Sequence, residues 1–226
     1  MLQTDERTPA TGTSRSSWPV IATLLAAPLV AIAARTASAP MFQKDSDKVD
    51  NARYLDELAS ASLRNDIGSG LTLLSAALFA AAAFAIGSIA RARSPRTGMA
   101  GQLLAGFGAF GLAAFSMVQA IAGQAARSED REAMIELFDR VNVEWPTNLY
   151  YLVMGVGALG WLLLGLALFR GRTVPRTAAV LTAIGGAAVY LTAPGPLTSF
   201  VAGSAVVALL GFAWTAKSAD QRVVSG

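Results

Sequence analysis

The chain has 226 residues, 54% of them hydrophobic and only 15% charged, with a formal net charge of +3 and a mean hydropathy of +0.48. That balance disfavours ordinary soluble domains and points to one compact membrane bundle. Cysteine and histidine are absent, which excludes disulfides, thiolate metal sites, lipidated cysteines and haem held by either residue, and removes the commonest general base.

The basic residues form no polar face of the kind nucleic acid binds. They cluster instead at the ends of apolar runs. A helix needs about 20 residues to cross a hydrocarbon core of roughly 30 Å. Runs able to do so occur at Ser17–Ala34, Ile67–Ala90, Gly98–Ala122, Thr147–Phe169, Val174–Thr192 and Leu197–Ala216. The expectation is an all-α, polytopic membrane helical bundle with six transmembrane helices, one membrane domain over residues 1–226, with residues 1–16 and 217–226 as cytoplasmic tails.

The first run carries Pro28, which removes one backbone hydrogen bond and kinks a helix. A cleaved signal peptide is its other reading, since Arg15 precedes it and Ala37-Ser38-Ala39 resembles a peptidase site. Against cleavage stand Pro40, disfavoured just after a cut, and the length of the run. An uncleaved helix is expected.

The segment Asp47–Asp66 follows, with Leu55, Leu58, Ala59, Ser62 and Leu63 on one face at helical spacing. A second such segment, Ser128–Val141, places Met134, Ile135, Phe138 and Val141 on a stripe. There Ser128 is the expected cap, with Glu129 and Asp130 at the positive end. Both read as short extracytoplasmic amphipathic helices. They either pack onto the end of the bundle or form a lid or partner surface.

Two hexads, Gly106-Phe107-Gly108-Ala109-Phe110-Gly111 and Gly155-Val156-Gly157-Ala158-Leu159-Gly160, match the G-x-G-x-x-G dinucleotide pattern. A phosphate loop needs a preceding strand, a water-exposed turn and a downstream acid, and both hexads lie inside apolar spans. The six glycines are therefore expected, with Gly185 and Gly186, to let helix backbones approach closely.

Orientation follows from loop charge. Arg91, Arg93 and Arg96 lie in one short connection and Arg170, Arg172 and Arg176 in another, with no acid in either; Lys217 and Arg222 follow the last run. These are the expected cytoplasmic ends. The connections Arg35–Asp66 and Gly123–Pro146 together carry eight basic and twelve acidic residues, so they are placed outside. Trp18 and Trp214 then fall at the inner interface, and Trp145, Tyr150 and Tyr151 at the outer. Ala193-Pro194-Gly195-Pro196 reads as a tight turn between the last two runs.

The two basic turns share the pattern R-x-R-[ST]-(x)-P-R-T, each preceded by a span and an acidic amphipathic segment. At a shift of 79 residues Glu57-Leu58 falls on Glu136-Leu137. A duplicated module is one reading. The other is that Arg, Pro and Thr are what short cytoplasmic turns use.

No carboxylate or Lys falls within the six runs, and the one Arg, Arg176, lies at the very start of the fifth, which disfavours proton coupling. Gln102, Ser116, Gln119, Thr182 and Ser75 remain as buried polar candidates, for interhelical hydrogen bonds or as a polar lining. The Asp45/Asp47/Asp50, Asp56/Glu57 and Glu129/Asp130/Glu132 groups, interleaved with Lys and Arg, read as solvated faces rather than an ion site. No catalytic residue, metal or cofactor is expected, so the chain is read as a non-enzyme.

Leu166-Ala167-Leu168-Phe169-Arg170, then Val174-Pro175-Arg176 and the run Val180–Tyr190, together with the polar helix Asp56–Asp66, resemble a broad bacterial family of uncharacterised six-helix integral membrane proteins. The resemblance covers Asp47 to Trp214. It implies a fold and a membrane location, and no activity. A noncatalytic subunit, regulator or assembly partner in the cell membrane is the expected role, its partners the lipid bilayer and a membrane protein or a second copy. A small transporter or channel without proton coupling is the alternative.

Overall fold

The computed structural model describes residues 18–38, 51–141, 149–193 and 198–224. Every element among the described residues is a helix: α1 (Trp18–Ala37), α2 (Asn51–Ser60), α3 (Ser62–Arg91), α4 (Pro95–Ala125), α5 (Arg131–Val141), α6 (Leu149–Gly171), α7 (Arg176–Thr192) and α8 (Thr198–Val224). The expected turn Pro194–Pro196, the Asp45/Asp47/Asp50 group, Pro40, Trp145 and the tail 1–16 lie outside the described residues, as do the side chains of Val141 and Arg222.

Five helices, α1, α3, α4, α6 and α8, are long and apolar enough to cross a membrane; α7, at 17 residues, is the shorter apolar helix. At 1.5 Å per residue it reaches about 25 Å, whereas the 30 residues of α3 and 31 of α4 exceed the thickness of a hydrocarbon core. The expected runs at 67–90 and 98–122 are thus lengthened at both ends by polar turns. Val174 and Pro175 precede α7 rather than belonging to it, because Pro175 sits at its N-cap with an extended backbone.

The six apolar helices close a ring in the order α1, α3, α4, α6, α7, α8 and back to α1, with α3 also touching α6 across it. Neighbours run antiparallel. Gly87 meets Gln102 while Asn65 bonds Gln119 between α3 and α4, and Gly185 meets Ala208 while Gly211 meets Thr182 between α7 and α8. The start of α1 and the end of α8 therefore lie at the end carrying the two basic turns.

Outward faces are apolar: Leu73, Phe84, Leu103, Phe107, Phe110 and Ile121 are among the large hydrophobic side chains left exposed. Water would penalise such a surface heavily, and lipid does not. Inside, Phe79 of α3 meets Trp161 of α6, Tyr190 of α7 and Phe212 of α8 edge-on at centroid separations of 5.9, 5.9 and 6.0 Å, and Trp161 stacks on Phe212 at 5.0 Å. Phe79 lies midway along the apolar stretch of α3. The four rings fill the ring of helices at its middle, in arrangements aromatic quadrupoles favour.

Helix α2 ends at Ser60, Ala61 breaks the helical path at φ −117° and ψ 27°, and α3 starts at once. The break corrects the expected stripe. Asn51, Tyr54, Leu55 and Leu58 are the buried face of α2, while Ala59 and Leu63 point outward, since Leu63 belongs to a helix of different direction. In α5 the cap is Asp130 rather than Ser128: its Oδ1 accepts the Ala133 N–H at 3.1 Å, three residues on.

Candidate functional site

The glycine seam lies between α4 and α6. A Cβ on Gly108 would fall 2.2 Å from the Gly157 Cα, and one on Gly160 would fall 2.1 Å from the Ala105 backbone nitrogen. Gly111 is pressed against Met154 in the same seam. Only hydrogen fits at these positions. Two of the six expected glycines behave otherwise. A Cβ on Gly106 would meet only the Phe84 ring, at 3.3 Å, and one on Gly155 would meet nothing within 4 Å. The hexads are spaced so that one helical face holds their second and third glycines, which leaves Gly155 on the opposite, outward side. Elsewhere, Gly186 makes room for Trp161, whose ring a Cβ would approach to 2.4 Å.

The polar candidates are spread through the bundle rather than gathered in one lining. Ser116 donates to the Ser69 carbonyl at 2.7 Å, joining α4 to α3. The hydroxyls of Thr182 and Thr215 are 3.1 Å apart between α7 and α8. Gln102 is buried against Gly87, with its Oε1 lacking a hydrogen-bond partner. Asn65, which the sequence reading did not single out, donates to the Gln119 carbonyl at 3.0 Å. Its signal was present as an amide one residue before Asp66, at the mouth of an apolar run.

Gln119 does line a cavity. At the end of the ring away from the basic turns, α1, α3, α4, α7 and α8 enclose about 30 Å³, walled by Arg35, Ser38, Thr72, Ser75, Gln119 and apolar side chains. That volume holds about two waters. Leu112 and Phe115 lie among its walls, and the four aromatic rings lie deeper in the bundle. Gln102, Ser116 and Thr182 do not reach this cavity.

At the same end α2 and α5 form a small second core: Tyr54, Leu55, Leu58 and Phe138 pack on Ala122, Ala125 and Ala126 at the end of α4. Polar bonds stitch the pair. Asn51 Nδ2 donates to Asp139 Oδ1 at 2.6 Å, Arg131 donates to the Ala52 carbonyl at 2.8 Å and also pairs with Asp56, and Arg127 binds both carboxylate oxygens of Asp66 at 2.8 and 3.0 Å. Burial pushes the Tyr54 phenol up to about 12. Arg64 reaches back to the Thr36 carbonyl at 3.1 Å and ties α3 to the end of α1. The expected correspondence of Glu57 with Glu136 places both in i,i+4 pairs, but Arg53 precedes Glu57 whereas Arg140 follows Glu136.

At the opposite end the two basic turns touch, a Cβ on Gly171 falling 2.9 Å from the Arg93 Cβ. Because Gly171 is used for this approach, the left-handed position after α6 falls to Arg172, at φ 48°. Bonds from the Arg172 N–H to the Phe169 carbonyl and from the Thr173 N–H to the Leu168 carbonyl, each 3.3 Å, close the helix end as a glycine normally would. The cost is about 1 kcal/mol. Arg176 lies over the Phe169 ring at 5.3 Å.

Among the described residues no group of three or more Asp, Glu, His or Cys converges as a metal site would require. Compared with known proteins, the chain matches no family model, no curated protein and no solved structure.

Proposed function

We propose that this chain is a noncatalytic integral membrane protein that serves as a subunit or assembly partner of a membrane complex. In this reading all six apolar helices span the cell membrane, both termini are cytoplasmic, and α2 and α5 lie on the extracytoplasmic side. The observation that carries it is a groove on the outward face between α3 and α4. Its floor is Ala76, Ala77, Ala80, Gly106, Ala109 and Ala113, and Leu73 and Phe110 also line it. Small residues on a lipid-facing surface let a second helix come close, and the chain itself leaves this place empty. Gly155, open on the outside of α6, has the same character.

Purification from native membranes in a mild detergent tests the role. A stoichiometric membrane partner or a homo-oligomer is expected, and replacing Ala80 by Phe, which fills the groove, should release it. A lone monomer under conditions that keep the bundle folded would overturn the proposal.

A small-solute carrier is the second reading, favoured by the cavity that Arg35, Ser38 and Gln119 help to line. Such a carrier needs a path past the aromatic rings. Replacing Phe79 by Ala should then raise uptake of an uncharged solute into vesicles, and unchanged uptake with a folded protein would count against a path there.

A further inference from the structure

Arginines are partnered differently at the two ends of the bundle. At the end carrying α2 and α5, Arg53, Arg127, Arg131 and Arg140 each pair with a carboxylate. At the other end Arg91, Arg93, Arg96 and Arg170 are exposed, and none of them makes a hydrogen bond or ion pair within the described residues. Neither basic turn contains an acid. The turns nevertheless meet. A Cβ on Gly171 would fall 2.9 Å from the Arg93 Cβ and 3.4 Å from the Ser94 hydroxyl oxygen, so Arg93 stands beside the backbone that carries Arg170.

Helix ends account for part of this pattern. Arg91 and Arg170 lie in the last turns of α3 and α6, where a cation suits the negative end of the helix dipole. Arg96 does not fit that account, because it lies in the first turn of α4, at the positive end, and that turn holds no acid. Arg93 lies between helices. Bringing these charges together costs self-repulsion that nothing in either turn offsets. Their depth says what can. The apolar run of α3 ends at Ala90, directly before Arg91, and Phe169 directly precedes Arg170. With these helices spanning the membrane, the guanidinium groups lie at the level of the lipid phosphates.

We propose that the joined turns form a binding face for an anionic lipid surface, whose net negative charge offsets Arg91, Arg93, Arg96 and Arg170. The proposal rests on the spanning reading given above. A zwitterionic leaflet brings a cation with every phosphate and leaves the repulsion in place. An acidic protein segment would have to descend to the same depth, because turns set directly on the ends of apolar runs do not project into water.

The test uses the full chain in phosphatidylcholine vesicles. Because the chain has no cysteine, one fluorophore at Ala92→Cys, in the first turn, reports the lipid beside it. Trace phosphatidylglycerol or phosphatidylcholine carrying a nitroxide high on the acyl chain is the quencher. Phosphatidylglycerol should quench about fivefold more effectively at Ala92→Cys, with no preference at Ile67→Cys, at the opposite end of the same run. Joint Arg93→Gln and Arg170→Gln should lower the ratio at Ala92→Cys to less than about half. Equal quenching by the two lipids, or an unchanged ratio in the double substitution, would overturn the proposal. Equal quenching together with a co-purifying protein that the double substitution releases would assign the face to an acidic segment instead. Loss of the preference on adding millimolar inorganic phosphate would assign it to a free anion, and the proposal would fail. Lipid with a mid-chain nitroxide should quench Leu103→Cys, on the exposed side of α4. No quenching there would defeat the spanning reading itself, whereas quenching there without a preference at Ala92→Cys defeats this proposal alone.

Discussion

At the scale of single residues, stability inside this bundle depends on how closely backbones approach, because lipid removes most of the gain from burying apolar surface. Gly160 and Gly155 belong to one hexad and differ in role. Gly160→Leu must push α4 from α6, since even a Cβ there collides with Ala105, and the expected loss is about 1–3 kcal/mol, read as a lower midpoint in detergent unfolding. Gly155→Ala meets open space and should be neutral or stabilise by up to about 1 kcal/mol, by helix propensity alone. Equal losses in the two variants would contradict the seam. Thr182→Val removes the bond to Thr215 and should cost about 0.6 kcal/mol, the usual worth of such bonds between membrane helices. The glycine pattern was legible in the sequence as a packing motif. Which glycine faces a neighbour was not, because that depends on the rotation of α6 against α4.

The two short helices show what periodicity can and cannot give at the scale of elements. The stripe Met134, Ile135, Phe138 was readable in α5, and so was the apolar pair Leu55 and Leu58 in α2. Ala61 was not readable as a break, since alanine is the strongest helix former and the turn is imposed by packing of α2 on α4 and α5. Asp130→Ala should loosen α5 by about 1 kcal/mol, seen as faster amide exchange confined to its first turn. Tyr54 offers a titration. Its folded value of about 12 exceeds the ordinary phenol value of 10.0, so the folded state keeps a proton the unfolded chain loses, and stability falls as pH rises through that interval. Comparison with Tyr54→Phe isolates the effect: the difference in tyrosinate absorbance should appear near pH 12, and a difference centred near 10 would show that α2 does not bury this ring.

For the whole molecule, membrane character was written in composition and in apolar run length, both local quantities. The closure of α8 on α1 and the meeting of Phe79, Trp161, Tyr190 and Phe212 were not, since they join residues far apart in the chain, Phe79 and Phe212 among them. The shortness of α7 makes it the pivot of the topology. If α7 crosses the membrane, Ser218 near the end of α8 lies on the same side as the basic turns; if it does not, Ser218 lies on the other. The chain has no cysteine, so single introduced thiols report cleanly. Labelling of intact cells with a membrane-impermeant thiol reagent should mark Ser128→Cys at once and mark Ser94→Cys and Ser218→Cys only after permeabilisation. Labelling of Ser218→Cys in intact cells, with Ser94→Cys still protected, would contradict the six-span bundle.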